Sequence, residues 1–143
     1  MRVGGNFFTT SSAAYAASGA HRTVLYSGCG ICDGYFMGLS DTLSAFRDLA
    51  IESGSWTVNP PSAEVHVSDN LSLLGSAQLN GTPLVRVGNN ITGVVGTGLS
   101  SGRLSVAGAF DFAGTYFVDT LILAGANHTL TALDPLGNVR NYN

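Results

Sequence analysis

Two cysteines, Cys29 and Cys32, are the sharpest chemical feature of the sequence. Thiols at this spacing can close a redox disulfide or supply half of a tetrahedral zinc site. Zinc needs two further ligands, and His21, His66 and His128 show no paired spacing. No metal and no cofactor are therefore expected. Gly98-Leu99-Ser100-Ser101-Gly102 matches the pattern that lifts a nucleophilic serine onto a strand-to-helix elbow. The residues after it, Arg103 to Phe112, alternate as a strand does, so the elbow lacks its helix. Gly96-Thr97-Gly98 lacks the lysine and helix of a phosphate loop. Asp119 interrupts an apolar run and has no catalytic partner at a readable spacing. It suits an edge, a bulge or a subunit contact. His66 shares a strand face with Glu64, which suits a solvated or interface residue. No catalytic residue is assigned.

The elements around the cysteines allow one enzymatic reading. Val24-Leu25-Tyr26 precedes the pair, an expected helix follows it, and Gly81-Thr82-Pro83 precedes the strand Leu84 to Val87. Over roughly residues 23 to 98 this order resembles the thioredoxin fold. The resemblance implies a thiol–disulfide oxidoreductase working through Cys29 and Cys32, with a cis-proline facing them. It is the alternative to the structural reading below.

Most of the apolar mass lies between Leu84 and Leu133. Leu104, Val106, Gly108, Phe110 and Phe112 alternate with small or polar residues, the period of a strand with one buried face. Ala113-Gly114 follows and suits a hairpin. Tyr116 to Leu123 is a run of strand formers. Asn80-Gly81, Gly88-Asn89-Asn90 and Ala124 to Asn127 read as turns. Turns recur roughly every ten residues, as in a sandwich or jelly roll, and no repeat of fixed period is evident. One helix is expected, from about Asp41 to Glu52. Ser40 caps it, Leu39, Leu43, Phe46, Leu49 and Ala50 lie along one side, and Gly54 stops it. Residues 1–20 read as an N-terminal arm, with Phe7 and Phe8 as its docking contacts, and residues 21–143 as a single β-rich domain. The fold class expected is mainly β, an antiparallel sandwich or jelly-roll-like body with one α-helix and an arm.

Composition points to surfaces that are covered. The chain has 143 residues, of which 45% are hydrophobic and 10% charged, against about 25% charged in an average domain. Its six basic residues are all arginine, scattered along the chain, and the net charge is −3. That argues against nucleic acid, which needs a basic footprint. No apolar run approaches bilayer length, and no signal-peptide stretch is recognised at the N-terminus. An exterior so short of charge is best kept in solution by contact with other copies or a partner.

Low charge, strands rich in Gly, Ser, Thr and Asn, and an aromatic-bearing arm together resemble small virion proteins of tailed phages. Capsid decoration or cement proteins are the nearest type. The resemblance is one of style across the chain and assigns no single residue. It implies a homo-oligomer, a trimer above other states, docked on a major capsid protein lattice. It also implies assembly in the host cytoplasm and residence in the virion.

Overall fold

The computed structural model describes residues 1–8, 20–27, 34–38, 45–59 and 61–125. Its strands are β1 (Arg2–Gly4), β2 (Phe7–Phe8), β3 (Arg22–Tyr26), β4 (Tyr35–Gly38), β5 (Ala45–Phe46), β6 (Asp48–Ile51) and β7 (Ser55–Asn59). They continue as β8 (Val65–Val67), β9 (Leu71–Leu73), β10 (Gln78–Val87), β11 (Ile91–Gly93), β12 (Gly98–Val106), β13 (Phe110–Phe112) and β14 (Thr115–Leu123). All pairings are parallel. The chain winds as a β-solenoid, each coil laying its strands on those of the coil before.

Three faces result. The first runs β1-β3-β6-β9-β11-β13. The second runs β2-β4-β7 and continues into the first part of β10, where Gln78 to Asn80 pair with β7. The third begins with β5 and β8 and continues into the second part of β10, where Val85 to Val87 pair with β8. β12 and β14 follow β10 along both faces. The bend in β10 falls at Gly81 and Thr82, where the register shifts by one residue against β12. The buried Thr82 hydroxyl lies 2.9 Å from both the Ala63 and Leu84 carbonyls, and in the next coil Ser101 donates to the Arg103 carbonyl.

Stacking in register turns period-two alternation into columns of like residues. Tyr35, Trp56, Leu79, Leu99 and Tyr116 form one column of the second face. Phe46, Val67, Val87, Val106 and Leu123 form one of the third. Thr23, Leu49, Leu71, Ile91 and Phe110 form one of the first. Nearly all are buried, and each large apolar side chain withdrawn from water contributes roughly 1.5–3 kcal/mol. Trp56 stacks on Tyr35 at 4.9 Å and donates its indole N–H to the Ser53 carbonyl. Gly93 sits in a core column because there is no room for more. A Cβ there would lie 2.3 Å from the Phe112 ring.

The corners use polar side chains as rungs. Asp48 Oδ1 accepts from the Asn70 amide and side chain, Asn70 Oδ1 from the Asn90 amide and Asn89 side chain, and Asn90 Oδ1 from the Ala109 amide. This ladder satisfies corner amides that strand pairing leaves over. At another corner Gly96 takes φ +94, the left-handed geometry of a type II turn closed by Thr97 N–H on the Val94 carbonyl.

Several expectations are corrected. The body is a parallel solenoid, neither an antiparallel sandwich nor a jelly roll, because the recurrent turns are coil corners and not hairpins. There is no helix among the described residues. Within the expected helix, Ala45–Phe46 and Asp48–Ile51 are strands on two faces with a corner at Arg47, and residues 41–44 lie outside the described residues. The spacing of Phe46, Leu49 and Ala50 suits that corner as well as a helix stripe. Asn80-Gly81 is a bend within β10, not a hairpin. The coils repeat in structure without a fixed period. Successive coils run 20 residues from Leu71 to Ile91 and 19 from Ile91 to Phe110. Within residues 1–20, β1 pairs with β3 and β2 with β4 as the first strands of the two sheets, and residues 9–19 lie outside the described residues.

Candidate functional site

The residues singled out for chemistry are not brought together. Cys29 and Cys32 lie outside the described residues. The helix that a thioredoxin-like order requires is absent from the described part of residues 23 to 98. Ser100 lies within β12, in mid-strand and opposite Phe117 of β14, so the Gly98–Gly102 motif forms no elbow. His66 faces outward, with its Nε2 2.8 Å from Glu64 Oε2. No cluster of three or more His, Cys, Asp or Glu side chains occurs among the described residues. Phe7 is buried at the first coil, its ring 5.6 Å from that of Phe46. Phe8 belongs to β2. Trp56 is fully buried.

Two grooves run beside these residues, the first mainly polar and the second mixed. One, of about 340 Å³, runs along the first face beside Arg22, Asp48, Ser72 and Thr92, with ladder residues Asn70 and Asn90 in its wall. The other, of about 610 Å³, follows the bend between the second and third faces past Pro61, Pro83, Ser100, Phe117 and Asp119. In the first, the asparagines are committed to the ladder. In the second, the Thr82 and Ser101 hydroxyls are committed to backbone carbonyls.

Among the described residues, the feature with unspent interaction capacity is the coil that carries β14. β14 pairs with β12 on one side and, among the described residues, with no strand on the other. In the preceding coil the inward residues Leu99, Ser101, Leu104 and Val106 are buried. Their successors Tyr116, Val118, Leu121 and Leu123 occupy the same columns but are only half-buried, and they line a depression of about 330 Å³ together with Asp119. On the outer side Phe117 is 72% exposed and Ile122 40%. The edge carries none of the usual guards, such as lysine, proline or a short length, apart from Asp119.

The sequence contained this signal in part. The run Tyr116 to Leu123 reads as a strand, and Asp119 reads as an edge, bulge or subunit contact. What the residues alone leave out is that the inward side chains of this strand stay half-exposed. No protein-family model, characterised protein or solved structure matches the chain.

Proposed function

We propose that this protein is a structural subunit that acts by docking rather than by catalysis, with the open end of its solenoid as the docking surface. The single observation carrying this reading is the inward column Val118, Leu121 and Leu123 of β14, which is only half-buried where the same columns one coil back are buried. A half-open apolar column is a docking surface for another strand or chain. The corner ladders and stacked core make the rest of the coil a stiff body, so docking costs little ordering entropy. The low charge of the chain fits an exterior that is covered in the working state.

The setting proposed is a tailed-phage virion, with the chain a decoration or cement subunit that oligomerises and sits on a protein lattice. Support for that narrower step comes from the low charge and the Gly-, Ser-, Thr- and Asn-rich strands, not from the architecture. Hydroxyl-radical footprinting of the isolated, dilute chain tests the docking reading. Val118, Leu121 and Leu123 should oxidise far faster than Val85 and Leu104 one or two coils back. Equal protection of both groups would mean that the end is already closed, and the reading would fail.

A further inference from the structure

The wider of the two grooves gathers side chains that the fold itself leaves uncommitted. It encloses about 610 Å³ along the bend between the second and third faces. Pro61, Pro83 and Phe117 give its lining apolar surface, and Gly81 and Gly102 keep it free of bulk. Phe117 is 72% exposed here, whereas Phe46, Trp56, Phe110 and Phe112 are buried. Phe117 stands in register with Ser100 on the neighbouring strand, so ring and hydroxyl adjoin. Asp119 follows two residues on, about 6.6 Å further along β14, and is also exposed. Among the described residues, neither the Ser100 hydroxyl nor the Asp119 carboxylate has a hydrogen-bond or ionic partner. The Thr82 and Ser101 hydroxyls beside them are already turned to backbone carbonyls.

An open aromatic face, a free carboxylate and a free hydroxyl narrow the class of ligand. Asp119 is the charged side chain lining the groove among the described residues, and its sign repels phosphates and nucleic acid. β12 crosses the groove hydrogen-bonded to β10 on one side and β14 on the other, so it offers an extended peptide no free edge. A lone ammonium would fill little of this volume and would meet one ring and one carboxylate, not a cage. A pyranose ring has an apolar C–H face for the negative face of an aromatic ring. Its rim of hydroxyls suits a carboxylate that only accepts and a serine that both donates and accepts.

We infer that this groove binds a neutral oligosaccharide. One sugar ring stacks on Phe117, its hydroxyls donate to Asp119, and Ser100 exchanges a hydrogen bond with the ring edge. The site binds and does not cleave, since glycoside hydrolysis generally takes a pair of carboxylates. It lies on the outer side of the coils and does not depend on the docking reading.

Screening the full chain on an array of neutral, sialylated and sulfated oligosaccharides tests this, followed by calorimetric titration with the glycan retained most. Retention should be confined to neutral glycans and should not fall as salt rises, because no ion pair is made. Phe117→Ala and Asp119→Ala should each weaken binding by about tenfold or more, and Ser100→Ala by roughly two- to tenfold. Val95→Ala, at an exposed residue outside the groove, should leave binding unchanged. Unchanged circular dichroism separates lost binding from lost folding. On the wild-type chain, chemical-shift changes during the titration should centre on the Phe117 ring and the Asp119 amide. Retention of no neutral glycan, or of charged glycans alone, would overturn the inference. So would undiminished binding by Phe117→Ala, or shift changes centred elsewhere. Salt-sensitive binding of spermidine in place of sugar would assign the groove to a cation and overturn it as well.

Discussion

The first and last coils of this solenoid are built from the same columns and end in different states. Phe46 heads one column of the third face at 0% exposure, and Leu123 ends the same column half-buried. Between them Val67, Val87 and Val106 are all buried. A parallel coil satisfies each strand by the strand before and the strand after, so its ends carry the whole cost of finite length. Here Phe46 in the first coil is covered, and the inward residues of the last described coil are only half so. The stability of the fold therefore resides toward the first coil and the middle, and its capacity to bind resides at the last.

Substitutions placed along the stack should grade accordingly. Phe46→Ala leaves a cavity in a covered coil and should cost about 3–5 kcal/mol in chemical denaturation. Equal tolerance of Phe46→Ala and Leu121→Ala would erase the contrast between the ends. Gly93→Ala drives a methyl group into the Phe112 ring in mid-stack and should cost about 1–3 kcal/mol, read as a lowered midpoint with unchanged slope. Asn70→Ala removes the rung that receives the Asn90 amide and should cost about 1–3 kcal/mol. The Asn90 amide should then exchange with solvent faster than the Thr92 amide. Leu121→Ala, at the open end, should cost under about 2 kcal/mol, because its side chain is only partly withdrawn from water. Phe117→Ser should change the stability of the single chain by no more than about 0.5 kcal/mol, while abolishing whatever association the wild type shows.

The same contrast explains which parts of the fold could be read from the residues. The strands at Thr23 to Tyr26, Leu84 to Val87 and Tyr116 to Leu123 were legible, because alternation and β-branched content depend on the pleat alone. Their direction was not. Side chains alternate with period two whether a neighbour runs parallel or antiparallel. Coil corners also use the same Gly, Asn and Asp residues that hairpins use. Asn80-Gly81 shows the ambiguity. It reads as a hairpin turn, yet the chain only bends there and continues along the next face.

The repeat was hidden by small irregularities. Asp69-Asn70 and Asn89-Asn90 mark equivalent corners 20 residues apart, but the register shift in β10 shortens the next coil by one residue. The earlier coils are longer still, 26 residues from Thr23 to Leu49 and 22 from Leu49 to Leu71. A helical stripe through Phe46, Leu49 and Ala50 arose because a corner between two short strands repeats apolar residues at nearly helical spacing. At the docking end, the strand and its interrupting Asp119 were visible in the sequence. Exposure of the inward column was not, since it depends on what packs over that coil.

Hydrogen exchange on the dilute, single-chain form compares the two situations most directly. Amides of β12, held between two strands, should be strongly protected, while the outward-directed amides of β14 should exchange quickly and become protected as concentration rises. Protection of β14 equal to that of β12 at every concentration would contradict an open last coil.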